Sequence, residues 1–110
     1  MRIRLAVRGR DLEPTLRTLI ESYLWFATSP YESQVKDAHA TLTDVQEASG
    51  VNLKHCRLDI QLCDGALITV EDRDTRPEAA VQRVAERSYS VLRGQTASGQ
   101  VGENAGSAAA

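Results

Sequence analysis

Arginine carries most of the positive charge in this chain: 11 of its 13 basic residues are Arg, and Lys36 and Lys54 are the only lysines. Arg2, Arg4, Arg8 and Arg10 fall within the first ten residues, which hold no acid. A guanidinium presents a planar fork of donors that matches phosphate and carboxylate oxygens. In an extended strand, alternate residues share a side at a repeat of about 7 Å, close to the spacing of phosphates along a nucleic-acid strand. Arg2, Arg4 and Arg8 therefore read as a phosphate-positioning stripe that gives salt-dependent affinity without sequence selectivity. They read equally as a solvated strand whose charges keep a sheet edge from pairing. Arg57 and Arg73 fall on the same outward parity of later strands. Arg76, Arg83 and Arg87 form a second group on one helix face. Arg83 and Arg87 are an i,i+4 pair of like charge, which costs a few tenths of a kcal/mol unless Glu78, Glu86 or a partner compensates. High genomic GC content also raises arginine over lysine, so composition alone leaves both explanations open.

Bond-making chemistry finds little support. The chain has no nucleophile–base pair, no phosphate-cradling glycine loop and no carboxylate pair at defined spacing, so the expectation is a protein that is not an enzyme. His39 and His55 are the only histidines. They sit on strands that could bring them together near Asp59, but two imidazoles on a solvated face fall short of a metal site. Cys56 and Cys63 lie outside CxxC or zinc spacing and read as reduced thiols, with Cys56 pointing inward. No cofactor, metal or small-molecule substrate is expected.

The 110 residues carry a formal charge of −2, with 42% hydrophobic and 25% charged residues. That balance excludes a uniformly basic nucleic-acid binder and fits one small globular domain. No apolar run approaches a membrane span, and the first residues do not form a signal-peptide core. A cytoplasmic location follows as an expectation.

Periodicity supplies the elements that would position these residues. Ile3, Leu5 and Val7 alternate with arginines, as in a half-buried strand. Leu12, Leu16, Leu19, Ile20, Tyr23 and Leu24 repeat at three and four, which predicts an amphipathic helix with Pro14 in its first turn and a fade near Ala27. Trp25 falls opposite that stripe, either as an exposed anchor or packed with Tyr31. Ala38, Ala40 and Leu42 predict a second strand. Cys56, Leu58, Ile60 and Leu62 predict a third, and Asp64-Gly65 a hairpin into a fourth over Ala66–Asp72. Thr75 and Glu78 fit a capping box. The helix that follows carries Ala80, Val81, Val84, Ser88, Val91 and Leu92 inward, with Gly94 as its stop. One α+β domain over residues 1–94 results, a βαβββα two-layer sandwich with a four-stranded sheet and two helices packed on one face. The first two strands should be parallel through a right-handed crossover. Residues 95–110 read as a disordered tail rich in Gly, Ala and Ser.

This order of elements resembles the hibernation promoting factor family of ribosome-associated inhibitors. The opening strand leads into Leu12 and Leu16-Arg17. Val35–Leu42 is similar to the family's second strand, with His39 at the equivalent place. Asp64-Gly65-Ala66-Leu67 is similar to its third hairpin. Ala79–Arg87 is similar to its second helix, with small residues before an aliphatic and recurring bases. The chain would be a short form without the family's extra C-terminal domain. The resemblance implies a translation inhibitor that binds small-subunit rRNA and blocks tRNA or mRNA access. It implies Arg2, Arg4, Arg8, Arg57, Arg73, Arg76, Arg83 and Arg87 as RNA contacts, converging into one positive track. The first helix departs from the family by carrying Tyr23-Leu24-Trp25-Phe26-Ala27-Thr28 where bases are usual. That departure defines the alternative, a protein-interaction module that keeps the fold and has lost RNA binding.

Overall fold

The computed structural model describes residues 1–9 and 12–98. Strand β1 spans Arg2–Arg8, helix α1 Pro14–Thr28, strand β2 Val35–Gln46, strand β3 Asn52–Leu62, strand β4 Leu67–Asp74 and helix α2 Pro77–Ser98. The sheet runs β1-β2-β3-β4. β1 pairs parallel with β2, and the remaining pairs are antiparallel. This is the α+β sandwich that the alternation predicts. α1 supplies the crossover that a parallel β1–β2 pair requires.

Each strand puts alternate side chains into one core. Ala38, Ala40, Cys56, Leu58 and Ile60 are fully enclosed, as are Ile20 and Leu24 of α1 and Ala80, Val81 and Val84 of α2. Ile3, Leu5 and Leu16 pack against this cluster as half-buried residues. Both helices therefore lie on the inner face, and the outer face carries the polar half of every strand.

Three local expectations need correction. β2 and β3 run longer than the apolar alternation, because on the inner parity Asp44 and Lys54 continue the pattern as an ion pair of 2.8 Å instead of an apolar contact. The hairpin they form closes through Gly50, whose φ of +91° glycine adopts without a Cβ clash. The capping box does not form. The Thr75 hydroxyl donates to Asp74, and Asp74 also accepts from the Arg76 backbone N–H at 3.0 Å. α2 does not stop at Gly94. Leu92 and Gln95 are both buried, so packing carries the helix through an exposed glycine to Ser98. The domain accordingly extends past residue 94, and the remainder of the expected tail, 99–110, lies outside the described residues. Of the two placements open to Trp25, the structure takes the exposed one: Trp25 stands 47% exposed, while Tyr31 packs at a tilt against Tyr89, ring centroids 5.7 Å apart.

Candidate nucleic-acid interface

Strand register turns the outer face into four rows. The first is Arg2, Asp37, Gln61 and Leu67; the second Arg4, His39, Asp59 and Thr69. The third is Ala6, Thr41, Arg57 and Glu71; the fourth Arg8, Thr43, His55 and Arg73. Five of the expected arginines thus share this face, together with both histidines and three carboxylates. His39 and His55 do not meet. His39 sits beside Asp59, and His55 lies four residues along the strand beside Thr43, a separation of about 13 Å. Among the described residues, no three of His, Cys, Asp and Glu cluster as metal ligands would.

The carboxylates engage most of these arginines. A slip in the β2–β3 register between Val35 and Asp37 lets Val35 enter the core while Asp37 faces outward. There Asp37 accepts a 2.6 Å hydrogen bond from Arg4 and lies 3.6 Å from Arg2. The Arg4 bond holds its carboxyl below the usual value despite partial burial, with the charge of Arg2 adding to the effect. Arg57 donates to Asp59 at 3.2 Å, and Asp59 also accepts from Thr69 at 2.8 Å. His55 lies 3.0 Å from Glu71. Arg8 and the guanidinium of Arg73 have no carboxylate partner among the described residues. They stand at opposite ends of one row with His55 between, three strand spacings or about 14 Å apart.

The second group does not join this face. Asp72 and Asp74 share the inward parity of Ile68 and Val70. Arg83 pairs with Asp72 at 3.1 Å and Asp74 at 3.0 Å, and Arg87 with Asp72 at 3.3 Å. The same side chains donate to the β4 carbonyls of Arg73, at 2.7 Å, and Glu71, at 2.9 Å. Arg17 does the equivalent at the other sheet edge, donating to the Leu5 carbonyl at 3.1 Å. These helix arginines cap strand edges that would otherwise present open acceptors. At Asp72, burial pushes the carboxyl up, but the Arg73 backbone N–H, Arg83 and Arg87 together hold it below the usual value. Asp74 is lowered chiefly by the Arg76 backbone N–H, and Arg83 is raised by Asp72 and Asp74. Arg76 projects from the turn before α2 with Glu78 3.8 Å away. The expected single track from β1 to α2 is therefore absent, because the two groups occupy opposite sides of the sheet. The partners Asp37, Asp72 and Asp74 carried no local sequence signal, since each pairs across strand register or between a strand and α2.

Away from the sheet, α1 and α2 leave a groove of about 450 Å³ lined by Tyr23, Phe26, Ala85, Glu86, Tyr89 and neighbours. Phe26 is 72% exposed at its rim. Cys56 lies within the core, where burial foremost and the charge of Asp72 push its thiol up to about 12.

No protein-family model matches the chain, and no curated protein matches it in sequence. Solved structures do share its fold. One is a ribosomal subunit interface protein from Coxiella burnetii, with a TM-score of 0.72, 20% identity, and coverage of 88% of this chain and 99% of that one. Another is the N-terminal domain of Protein Y from Thermus thermophilus, with a TM-score of 0.65, 21% identity, and coverage of 84% and 97%. The class is thus the βαβββα sandwich shared with these proteins, in agreement with the resemblance read from the sequence. No described helix is long and apolar enough to cross a membrane.

Proposed function

We propose that the chain is a ribosome-associated protein that docks on small-subunit rRNA through its outer sheet face and obstructs tRNA or mRNA. The observation that carries this reading is the row Arg8, Thr43, His55 and Arg73 on the outer face, whose two end guanidinium groups have no carboxylate partner among the described residues. The fold shared with a ribosomal subunit interface protein supports the same partner. Arg8 and Arg73 would make the leading phosphate contacts. Arg2, Arg4 and Arg57 would add weaker ones, because each must share its charge with Asp37 or Asp59. Arg76, Arg83 and Arg87 would touch RNA only where it wraps past the β4 edge. The protein acts by occupying space, with no bond made or broken, and its place of work is the cytoplasm. Purified small subunits sedimented at low salt should carry the protein into the pellet, and Arg8→Gln/Arg73→Gln should leave it in the supernatant. Failure of the unaltered protein to co-sediment ends this reading.

The second reading is the interaction module without RNA binding. The specific observation in its favour is that carboxylates engage Arg2, Arg4, Arg57, Arg83 and Arg87 while Trp25 and Phe26 stand exposed. It expects no salt-dependent RNA affinity at all.

A further inference from the structure

The groove between the helices lies on the side of the molecule opposite the outer sheet face, and its pattern is self-complementary. α1 contributes Tyr23, Phe26 and Ala27; α2 contributes Gln82, Ala85, Glu86, Tyr89 and Ser90. Leu19 sits on the same flank of α1 and is 41% exposed. Tyr89 spends one side on Tyr31 and is 38% exposed. Phe26 is therefore a large apolar knob on the rim of an open, mostly apolar groove of about 450 Å³. A knob and a groove on one surface are what a two-fold interface requires, because each copy then fills the other.

Charge on the same face follows the same symmetry. Glu86 and Arg93 are seven residues apart on α2, so they share a crest two turns, or about 10 Å, apart. Among the described residues neither side chain has an ion-pair partner. An axis passing between Tyr89 and Ser90, with the two α2 helices antiparallel, sets Glu86 of each copy against Arg93 of the partner subunit. A parallel arrangement would set like against like. The two-helix face is about 22 Å long and offers on the order of 600 Å² per partner, the lower range for a specific pair.

We infer that the α1–α2 face binds a second copy of this chain, with Phe26 of each copy seated in the other's groove and Glu86 paired to Arg93 of the partner subunit. The proposal does not rest on the ribosome reading. The outer sheet faces point away from the axis in such a pair, so both stay open to solvent.

Sedimentation velocity on the full chain, from about 1 to 500 μM, tests it. The unaltered protein should pass from monomer to dimer across that range. E86R and R93E should each weaken association at least roughly tenfold, since each sets like charges face to face. An equimolar mixture of E86R and R93E should dimerise, as should the double variant E86R/R93E, because each restores opposite pairs. Phe26→Ser should abolish association in every background. Both charged positions are exposed, so each variant should fold, and a thermal melt of each checks this. An independent arm places S90C in a C63S background, where mild oxidation should cross-link copies at the axis. A monomer at every concentration overturns the inference, as does dimerisation of E86R and R93E at unaltered strength, or a failure of their mixture to pair.

Discussion

Salt dependence separates RNA binding by the two arginines without a described carboxylate partner from binding by all eight expected arginines. Each phosphate neutralised by a protein cation releases counterions, so log K falls with log salt at a slope of about −0.7 per contact for a single strand and −0.9 for a duplex. If Arg8 and Arg73 make the leading contacts, the slope is about −1.4 to −1.8, and affinity falls roughly tenfold between 50 and 200 mM salt. If all eight arginines bound phosphate, the slope would be about −6 to −7 and the same change would cost more than a thousandfold. The ion pairs decide between these cases, because a guanidinium already held by Asp37 or Asp59 releases few counterions on meeting RNA. Asp37→Asn removes the carboxylate that engages Arg2 and Arg4. It should steepen the slope by about 1.4 to 1.8. Arg8→Gln/Arg73→Gln should flatten it towards zero. Fluorescence anisotropy with a labelled small-subunit rRNA fragment, titrated at several salt concentrations, reads all three slopes. A slope near −6 in the unaltered protein, or no change with Asp37→Asn, refutes the reasoning about committed charges.

Further expectations concern the scaffold. Leu58 is fully buried at the centre of β3, so Leu58→Ala should cost about 3 kcal/mol in urea unfolding. Asp44→Ala strands the largely buried Lys54 ammonium and should cost about 2 kcal/mol, whereas Lys54→Met should be close to neutral. The carboxyls of Asp37, Asp72 and Asp74 are lowered by folding. Their contribution to stability is therefore complete above the unfolded value of about 3.9 and is lost as pH falls through the lower folded values. Acid unfolding should accordingly steepen below about pH 4, and less so in Asp37→Asn. A thiol reagent should modify exposed Cys63 at once and Cys56 only on unfolding, which a thiol count with and without denaturant would show.

Alternation and helical spacing were sufficient for the architecture because one face of every strand and one stripe of each helix must be apolar. They also put Arg2, Arg4, Arg8, Arg57 and Arg73 on one face, as the register shows. They failed where polar pairs replace apolar ones. Asp44 and Lys54 extend the central hairpin on inward positions where the apolar alternation has ended. Gly94 reads as a stop, yet burial of Leu92 and Gln95 outweighs the intrinsic cost of glycine. The charge track failed for a related reason. Sequence shows which residues carry charge, while the sheet edges and the slip at Val35–Asp37 determine which acid each arginine meets. Arg83 and Arg87 resemble an RNA-binding helix in sequence, and in the fold they bond the open carbonyls of β4.

The location of bound RNA on this molecule is read most directly by NMR. Backbone amide shifts followed during addition of the rRNA fragment should move first and most at Arg8, Thr43, His55 and Arg73, and stay still along Ser88–Arg93. Movement confined to the helices, or none at saturating RNA, would contradict a sheet-borne ribosomal contact.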